Sequence, residues 1–232
     1  MRKAILAGAT GLVGSDVLQF LLESEVYESV TVLSRRKLLI THPKIHEVIL
    51  NFDALEDYKD QIQGDDVFCT LGITLKKAGS QEAAHKVEYD YPLQLAKIAS
   101  QNGATQFLLV STMGANAKSN NYYFKTKGEL ENALLQLNYP CLHILRPSLL
   151  VGNRNEIRIW EDLARVFMTA FQTFIPKKYR AIQSRTVARF MVSQAEKSEK
   201  GSVIYESNQI RWIEIRRFDM KEMREKVIYR DI

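Results

Sequence analysis

Cysteine is scarce in this sequence, which has only two, and both lie inside apolar runs. Cys69 ends the run Asp66-Val67-Phe68-Cys69, and Cys141 begins another apolar run. This usage does not fit a disulfide framework and predicts two buried core thiols in a reducing compartment. The four histidines pair with no carboxylate or cysteine at ligand spacing, so no metal site is predicted.

Long hydrophobic runs and blocks of like charge are also missing. No stretch approaches the roughly 20 apolar residues of a membrane span, so we expect no transmembrane segment and a cytoplasmic protein. The 32 basic and 27 acidic residues are interspersed, with a net charge of +5. That balance fits anionic ligands, and the absence of a basic block predicts no nucleic-acid partner.

Short apolar runs alternate with helical patterns through the first 150 residues. Strands are predicted at residues 3–7, 30–33, 46–50, 66–71, 106–111 and 141–145, and helices at 14–23, 82–102 and 123–137. The strand patterns are nearly continuous in apolar residues, which is typical of a parallel sheet covered on both faces. The predicted fold class is therefore α/β, a doubly wound parallel sheet of Rossmann type with its ligands at the carboxyl ends of the strands.

The regular alternation ends after Pro147. Residues 160–174 predict an amphipathic helix. Its apolar face would pack into the core, form a substrate lid or a dimer surface, or dock on a membrane or a partner. A helix around 186–195 and a strand around 202–205 complete a small C-terminal substrate lobe at about 151–210. We predict one domain over residues 1–210 and a helix-like tail at 211–232, and by fold-level analogy a homodimer.

Three glycines follow the first predicted strand at a spacing of three: Gly8, Gly11 and Gly14. One glycine allows the tight turn, one lets backbone N–H groups approach a pyrophosphate, and one permits close helix–strand contact. The N-terminus of the next helix then faces the phosphates with the positive end of its dipole. Because the loop lies between a strand and a helix at the start of a βαβ pattern, it predicts dinucleotide binding.

The residues after the second predicted strand select the cofactor. An NAD site usually places a carboxylate there for the ribose hydroxyls, whereas this sequence has Arg35 and Arg36 with no acid nearby. A guanidinium suits a 2′-phosphate because it makes bidentate, charge-assisted contacts. NADP(H) is therefore the predicted cofactor.

Tyr123 and Lys127 lie four residues apart, on one face of the helix that follows the strand ending at Ser111. An ammonium group beside a phenol lowers the tyrosine pKa, which would make Tyr123 a usable general acid toward a carbonyl oxygen. Ser111 would donate a hydrogen bond to the same oxygen, and Thr112 is the alternative donor. Lys127 would also reach the nicotinamide ribose.

These residues resemble the atypical members of the short-chain dehydrogenase/reductase superfamily, with Gly-x-x-Gly-x-x-Gly and Tyr-x-x-x-Lys, and most of all the Tat-interacting-protein-like oxidoreductases. The similar stretches are residues 7–14, 34–38, 68–72, 77–79, 87–91, 111–115, 123–131 and 146–154. The resemblance spans about residues 1–158, fades to about 210, and does not extend to the tail.

The resemblance implies a role for each matching position. Cofactor contacts are implied at Thr10, Gly11, Leu12 and Val13 for the phosphates, Arg35 and Arg36 for the 2′-phosphate, Leu71 and Gly72 for the adenosine ribose and phosphates, Leu150 near the nicotinamide, and Arg158. Tyr123 and Lys127 would be catalytic, while Thr112 and Met113 depart from the hydroxyls of related groups and leave the third catalytic group open.

Two functions are compatible with these patterns. The first is an NADPH-dependent oxidoreductase that reduces a carbonyl or similar group of a small-molecule substrate. The alternative is a non-catalytic NADPH-binding regulatory or interaction protein, because the resemblance extends to members that act in that way. An intact Tyr123–Lys127 pair favours the first.

Overall fold

A seven-stranded parallel sheet forms the centre of the structure, a computed structural model that describes residues 1–152 and 180–211. Its strands, in chain order, are β1 (Arg2–Ala7), β2 (Tyr27–Ser34), β3 (Ile45–Ile49), β4 (Asp66–Cys69), β5 (Gln106–Val110), β6 (Cys141–Arg146) and β9 (Gly201–Glu206). Two further short strands, β7 (Leu150–Val151) and β8 (Ile182–Gln183), pair with each other. The predicted doubly wound α/β fold is confirmed.

The strand order β3-β2-β1-β4-β5-β6-β9 reverses its direction of growth between β1 and β4. Strands β2 and β3 lie on one side of β1, and the chain then returns to place β4 on the other side. The crossover connections on the two sides leave the sheet in opposite directions, so a crevice opens at the carboxyl ends of β1 and β4. Ligands of open α/β sheets bind in such a crevice.

Helices cover both faces of the sheet. They are α1 (Leu12–Glu23), α2 (Leu75–Ala78), α3 (Gln81–His85), α4 (Tyr91–Gln101), α5 (Tyr122–Leu135) and α6 (Ser184–Lys197). Neighbouring residues of β1 point to opposite faces. Leu6 packs with residues of α1 and α6, whereas Ile5 packs with residues of α4 and α5. The continuous apolar character of the strands reflects these two cores.

Two elements of the predicted C-terminal lobe belong to the main layers. Strand β9 pairs with β6 as the seventh strand of the sheet, and α6 packs against α1 in the same core. The predicted helix at 160–174 and nearly all of the predicted tail lie outside the described residues.

Other differences from the predictions are local. Strand β4 ends at Cys69, before the predicted Leu71, because its partner β1 ends at Ala7, and the Thr70 N–H makes the last bond between the two strands. A 3₁₀ stretch (Phe52–Gln61) has no counterpart among the predicted elements. The predicted helix at 82–102 consists of α3, a π-helical segment (Lys86–Asp90) and α4.

Both cysteine thiols are free and buried, as predicted. Cys69 is fully buried, and that burial raises the pKa of its thiol to about 11. Among the residues that the structure describes, no helix is both long enough and apolar enough to span a bilayer.

A buried polar cluster closes the amino-terminal end of the sheet, away from the crevice. The carboxylate of Asp66, fully buried, accepts hydrogen bonds from the Tyr27 hydroxyl (2.6 Å) and the Gln106 amide (3.1 Å), and it pairs with the guanidinium of Arg2. Burial raises the pKa of Asp66 to about 6, against the opposing effect of Tyr27 and Arg2. The three partners of Asp66 lie at the starts of β1, β2 and β5, so the cluster fastens these strands to β4.

Candidate active site

The glycine loop (residues 8–14) lies in the crevice between β1 and β4. Gly8 has a φ of +95°, in the left-handed region that favours glycine, and a Cβ there would lie 2.8 Å from the backbone carbonyl of Thr70. Gly14 lies in the first turn of α1, where a Cβ would lie 2.0 Å from the Gly8 carbonyl oxygen. These two glycines let the turn, the helix and the end of β4 approach closely.

The N-terminus of α1 is open to an anion. Its N-cap is Gly11, which has no side chain to satisfy the first N–H groups, and the first turn holds no acidic residue. Val13 turns its side chain into the core, so only its backbone can face a phosphate, whereas Thr10 is exposed. The cradle of glycine backbone and the uncapped helix end fit the pyrophosphate of a dinucleotide.

Arg35 and Arg36 follow β2 at the neighbouring strand end, and both side chains are exposed. In the described part of the chain neither guanidinium makes a hydrogen bond or an ion pair. The Ser34 hydroxyl donates to the Arg36 carbonyl (2.7 Å), which fixes the backbone of the turn. Two unneutralised guanidinium groups therefore stand beside the crevice.

Tyr123 and Lys127 lie on the first two turns of α5. The Asn121 side chain caps this helix by accepting the N–H groups of Tyr123 (3.0 Å) and Phe124 (3.3 Å). Lys127 is buried, and its ammonium forms an ion pair of 2.6 Å with the carboxylate of Glu88, each side chain being only 3% exposed. The predicted pair is thus anchored by a third residue, on the π-helical segment.

The protonation of the pair follows from its surroundings. Burial raises the pKa of the Tyr123 phenol, the Lys127 ammonium lowers it, Glu88 raises it and the Thr112 hydroxyl lowers it, so that it stands above the usual value. The predicted lowering of this pKa is therefore wrong, because burial outweighs the effect of the ammonium. The residue as a whole remains 40% exposed. Burial lowers the pKa of Lys127, but the charge of Glu88, together with Tyr123 and Cys69, raises it by more. The pKa of Lys127 is therefore above its usual value. At neutral pH the phenol is protonated and the lysine charged.

Ser111 and Thr112, the two candidates for the third catalytic group, face different partners. The Ser111 hydroxyl is buried and donates to the Glu131 carboxylate (2.5 Å), which also binds the guanidinium of Arg146 (2.5 Å). The structure therefore does not bring the Ser111 hydroxyl to Tyr123. The Thr112 hydroxyl makes a long hydrogen bond to the Met113 carbonyl (3.4 Å), and it lies near enough to the Tyr123 phenol to lower its pKa.

Leu71 and Gly72 follow β4 and form one wall of the crevice. A Cβ on Gly72 would lie 3.4 Å from a carboxylate oxygen of Glu88, so this wall passes directly beside the partner of Lys127. Leu150, half-buried in β7, packs against the core that contains α1. Two residues later, a Cβ on Gly152 would lie 2.5 Å from Leu12, which places this segment at the N-terminus of α1. Arg158 lies outside the described residues.

Sequence reasoning missed two residues of this site. Thr70 bonds through its N–H and its hydroxyl to the Ala7 carbonyl, both at 2.9 Å, and so joins β4 to the glycine loop. Glu88 completes the Tyr123–Lys127 pair. Two signals for Glu88 were present: it lies in the family-like stretch 87–91, and it is a carboxylate at a buried position of a helical pattern, where an unpaired acid is costly.

The parallel sheet, its reversal of strand order and the glycine loop at that reversal define a Rossmann-type protein. Residues 47–180 match the HIM1 family. The chain is 33% identical to the protein HTATIP2 of Rattus norvegicus over 196 residues, which cover 83% of this chain and 80% of that protein. It is also 33% identical to the mitochondrial protein FMP52 of Lodderomyces elongisporus over 211 residues, 85% of this chain and 88% of that protein. The chain belongs to the HIM1 family, and the resemblance to the Tat-interacting-protein-like group is confirmed.

Solved structures share the fold at low identity. MoeE5 in complex with UDP-glucose and NAD matches 90% of this chain and 79% of its own with a TM-score of 0.68 and 15% identity. The ADP-L-glycero-D-manno-heptose-6-epimerase of Helicobacter pylori matches 90% of this chain and 80% of its own with a TM-score of 0.67 and 19% identity. At this level of identity the likeness shows the fold alone.

Proposed function

We propose that the chain is an NADPH-dependent oxidoreductase that reduces a carbonyl or similar group of a small molecule. One observation carries the proposal: the buried, charged Lys127 and the protonated Tyr123 phenol lie together at the end of the sheet that holds the glycine loop. A tyrosine and a lysine in this state can supply a proton beside a bound nicotinamide.

The described residues fit the cofactor. The backbone of the glycine loop and the open end of α1 would hold the pyrophosphate, and Leu71 and Gly72 would pass beside the adenosine ribose. MoeE5 is bound to NAD, but here Arg35 and Arg36 support a cofactor with a 2′-phosphate. When bound, NADPH supplies the hydride that the carbonyl carbon accepts, leaving NADP⁺.

The residues of the chain supply the proton and the orientation. Tyr123 donates its phenol proton to the substrate oxygen, which becomes a hydroxyl group, and the phenolate oxygen takes a proton from solvent once the product has left. Lys127 stabilises the phenolate during the transfer and holds the cofactor ribose. We assign the role of the third catalytic group to Thr112, whose hydroxyl would donate a hydrogen bond to the substrate oxygen.

The cofactor preference has a direct test. Replacing both arginines (Arg35→Ala with Arg36→Ala) removes the charge-assisted contacts to the 2′-phosphate, so NADPH affinity should fall by roughly 10- to 100-fold. NADH affinity should be unchanged because NADH lacks that phosphate. Titration of each nucleotide by fluorescence measures both affinities.

Lys37→Ala is the matched control, since it removes one positive charge from the same exposed turn. It should change NADPH affinity only slightly. Equal losses for NADPH and NADH in the double variant, or a loss in Lys37→Ala as large as in the double variant, would contradict the assignment of the two arginines.

The reaction itself is tested by following NADPH oxidation with a panel of aldehydes, ketones and quinones. Turnover of at least one class, with an alcohol or hydroquinone as product, supports the reductase. NADPH binding without turnover across the panel would favour a non-catalytic NADPH-binding regulatory protein. Failure to bind either nucleotide would overturn both.

A further inference from the structure

A buried carboxylate to which the sequence pattern assigned no role lies at the centre of the candidate active site. Glu88 is on the π-helical segment before α4, and only 3% of its side chain is exposed. One carboxylate oxygen lies 2.6 Å from the Lys127 ammonium, and the other accepts the N–H of Ile73 (2.6 Å). Glu88 therefore joins α5 to the loop that follows β4.

A π-helical turn is an unusual place for a buried acid in a packed helix. An inserted residue of this kind redirects the side chains of one turn, and such turns are frequent at functional sites. Here the π-helical segment directs Glu88 inward, where burial of a charge is costly unless the charge is paired. The pairing with Lys127 satisfies that requirement and fixes the lysine at the same time.

We propose that Glu88 is the positioning residue of the Tyr123–Lys127 pair: it holds Lys127 in place and keeps the pair in its proton-donating form. The inference rests on the proposed reductase function for its catalytic meaning, but the protonation of the pair can be measured without any substrate.

The charges around the pair decide the direction of the effect. Tyr123 and Lys127 lie on α5, Glu88 on the π-helical segment and the Cys69 thiol at the end of β4, while Thr112 contributes a neutral hydroxyl. Glu88 is thus the group that carries a negative charge at neutral pH. Without that charge, loss of a proton from the pair becomes easier, whether the proton leaves the phenol or the ammonium.

The test is Glu88→Gln, which keeps the shape and removes the charge. Carbon-13 NMR of protein labelled at tyrosine Cζ and lysine Cε follows both groups over about pH 6 to 11, with Tyr123→Phe and Lys127→Arg assigning the signals. The first proton should leave the pair at a pH at least about one unit lower than in the wild-type protein. Unchanged titration of both signals would overturn the proposal.

The controls separate charge from shape. Glu88→Asp keeps the charge and should restore a titration close to that of the wild-type protein. Glu82→Gln removes an exposed carboxylate from the neighbouring α3 and should leave the titration unchanged. A shift as large in Glu82→Gln as in Glu88→Gln would show a general charge effect and contradict the specific role.

Glu88→Gln leaves Lys127 buried without a partner, so a variant that cannot fold is a foreseeable outcome. In that event Lys127→Met is compared with the double variant Glu88→Gln/Lys127→Met. The Tyr123 signal should titrate at lower pH in the double variant, and equal titration would overturn the proposal.

If no substrate is turned over, the proposed reductase function fails while the NMR result on Glu88 stands. If turnover is found and the titration does not move, only the role of Glu88 fails.

Discussion

Replacing Tyr123 by phenylalanine should lower the rate of carbonyl reduction by about 100- to 10,000-fold, the contribution of a positioned general acid. The substitution removes only the hydroxyl, and with it the proton that the substrate oxygen requires. NADPH affinity should be nearly unchanged because the glycine loop and the two arginines hold the cofactor. Steady-state rates measured with a substrate from the aldehyde, ketone and quinone panel, together with a nucleotide titration, test both parts.

Tyr122→Phe is the matched control for this prediction. It is the neighbouring tyrosine on α5, and its hydroxyl donates to the Gln81 carbonyl (2.6 Å) rather than joining the lysine pair. This control should retain the wild-type rate with at most a small loss of stability, since an exposed hydrogen bond contributes about 1 kcal/mol. Similar rates in Tyr123→Phe and in the wild-type protein would exclude Tyr123 as the acid.

The parts of the molecule that sequence could predict are those with local patterns. Each buried strand of the sheet is a short apolar run, and the glycine loop and the Tyr123–Lys127 pair have fixed spacings along the chain. Gly103 comes next after the predicted helix at 82–102, and its φ of +92° is the left-handed conformation in which glycine commonly follows a helix. Patterns of this kind depend on near neighbours alone.

The parts that sequence could not predict depend on distant pairings. Glu88 and Lys127 are separated by 39 positions, and no pattern along either helix points to the other. The choice between Ser111 and Thr112 likewise depends on Glu131 of α5, which accepts the hydrogen bond of the Ser111 hydroxyl and is itself held by Arg146 of β6. The inclusion of β9 in the main sheet is a third case, because its pairing with β6 is made across a separation of about 60 residues.

Replacing Gly14 by alanine should weaken nucleotide binding and destabilise the fold together. In an ordinary helix this change stabilises by about 1 kcal/mol, because alanine has the higher helix propensity. At Gly14 the new methyl group would lie 2.0 Å from the Gly8 carbonyl oxygen and 2.5 Å from the Thr70 hydroxyl oxygen. The overlap is with backbone, so α1 must move away from the glycine loop, and overpacking of this kind costs roughly 1–3 kcal/mol. Displacing the N–H groups that face the pyrophosphate should weaken NADPH binding by at least about tenfold.

Gly64→Ala separates these two effects, because Gly64 is also closely packed but lies at the other end of the sheet. A Cβ there would meet Ile5 at 2.9 Å and the Lys3 carbonyl oxygen at 3.1 Å, far along β1 from the glycine loop. We expect Gly64→Ala to lower the free energy of unfolding while the folded protein keeps its NADPH affinity, whereas Gly14→Ala loses both. Denaturant unfolding and nucleotide titration of the two variants provide the comparison. A Gly14→Ala protein that binds NADPH as tightly as Gly64→Ala does would show that the close approach at Gly14 serves packing alone, and the phosphate site would have to lie elsewhere.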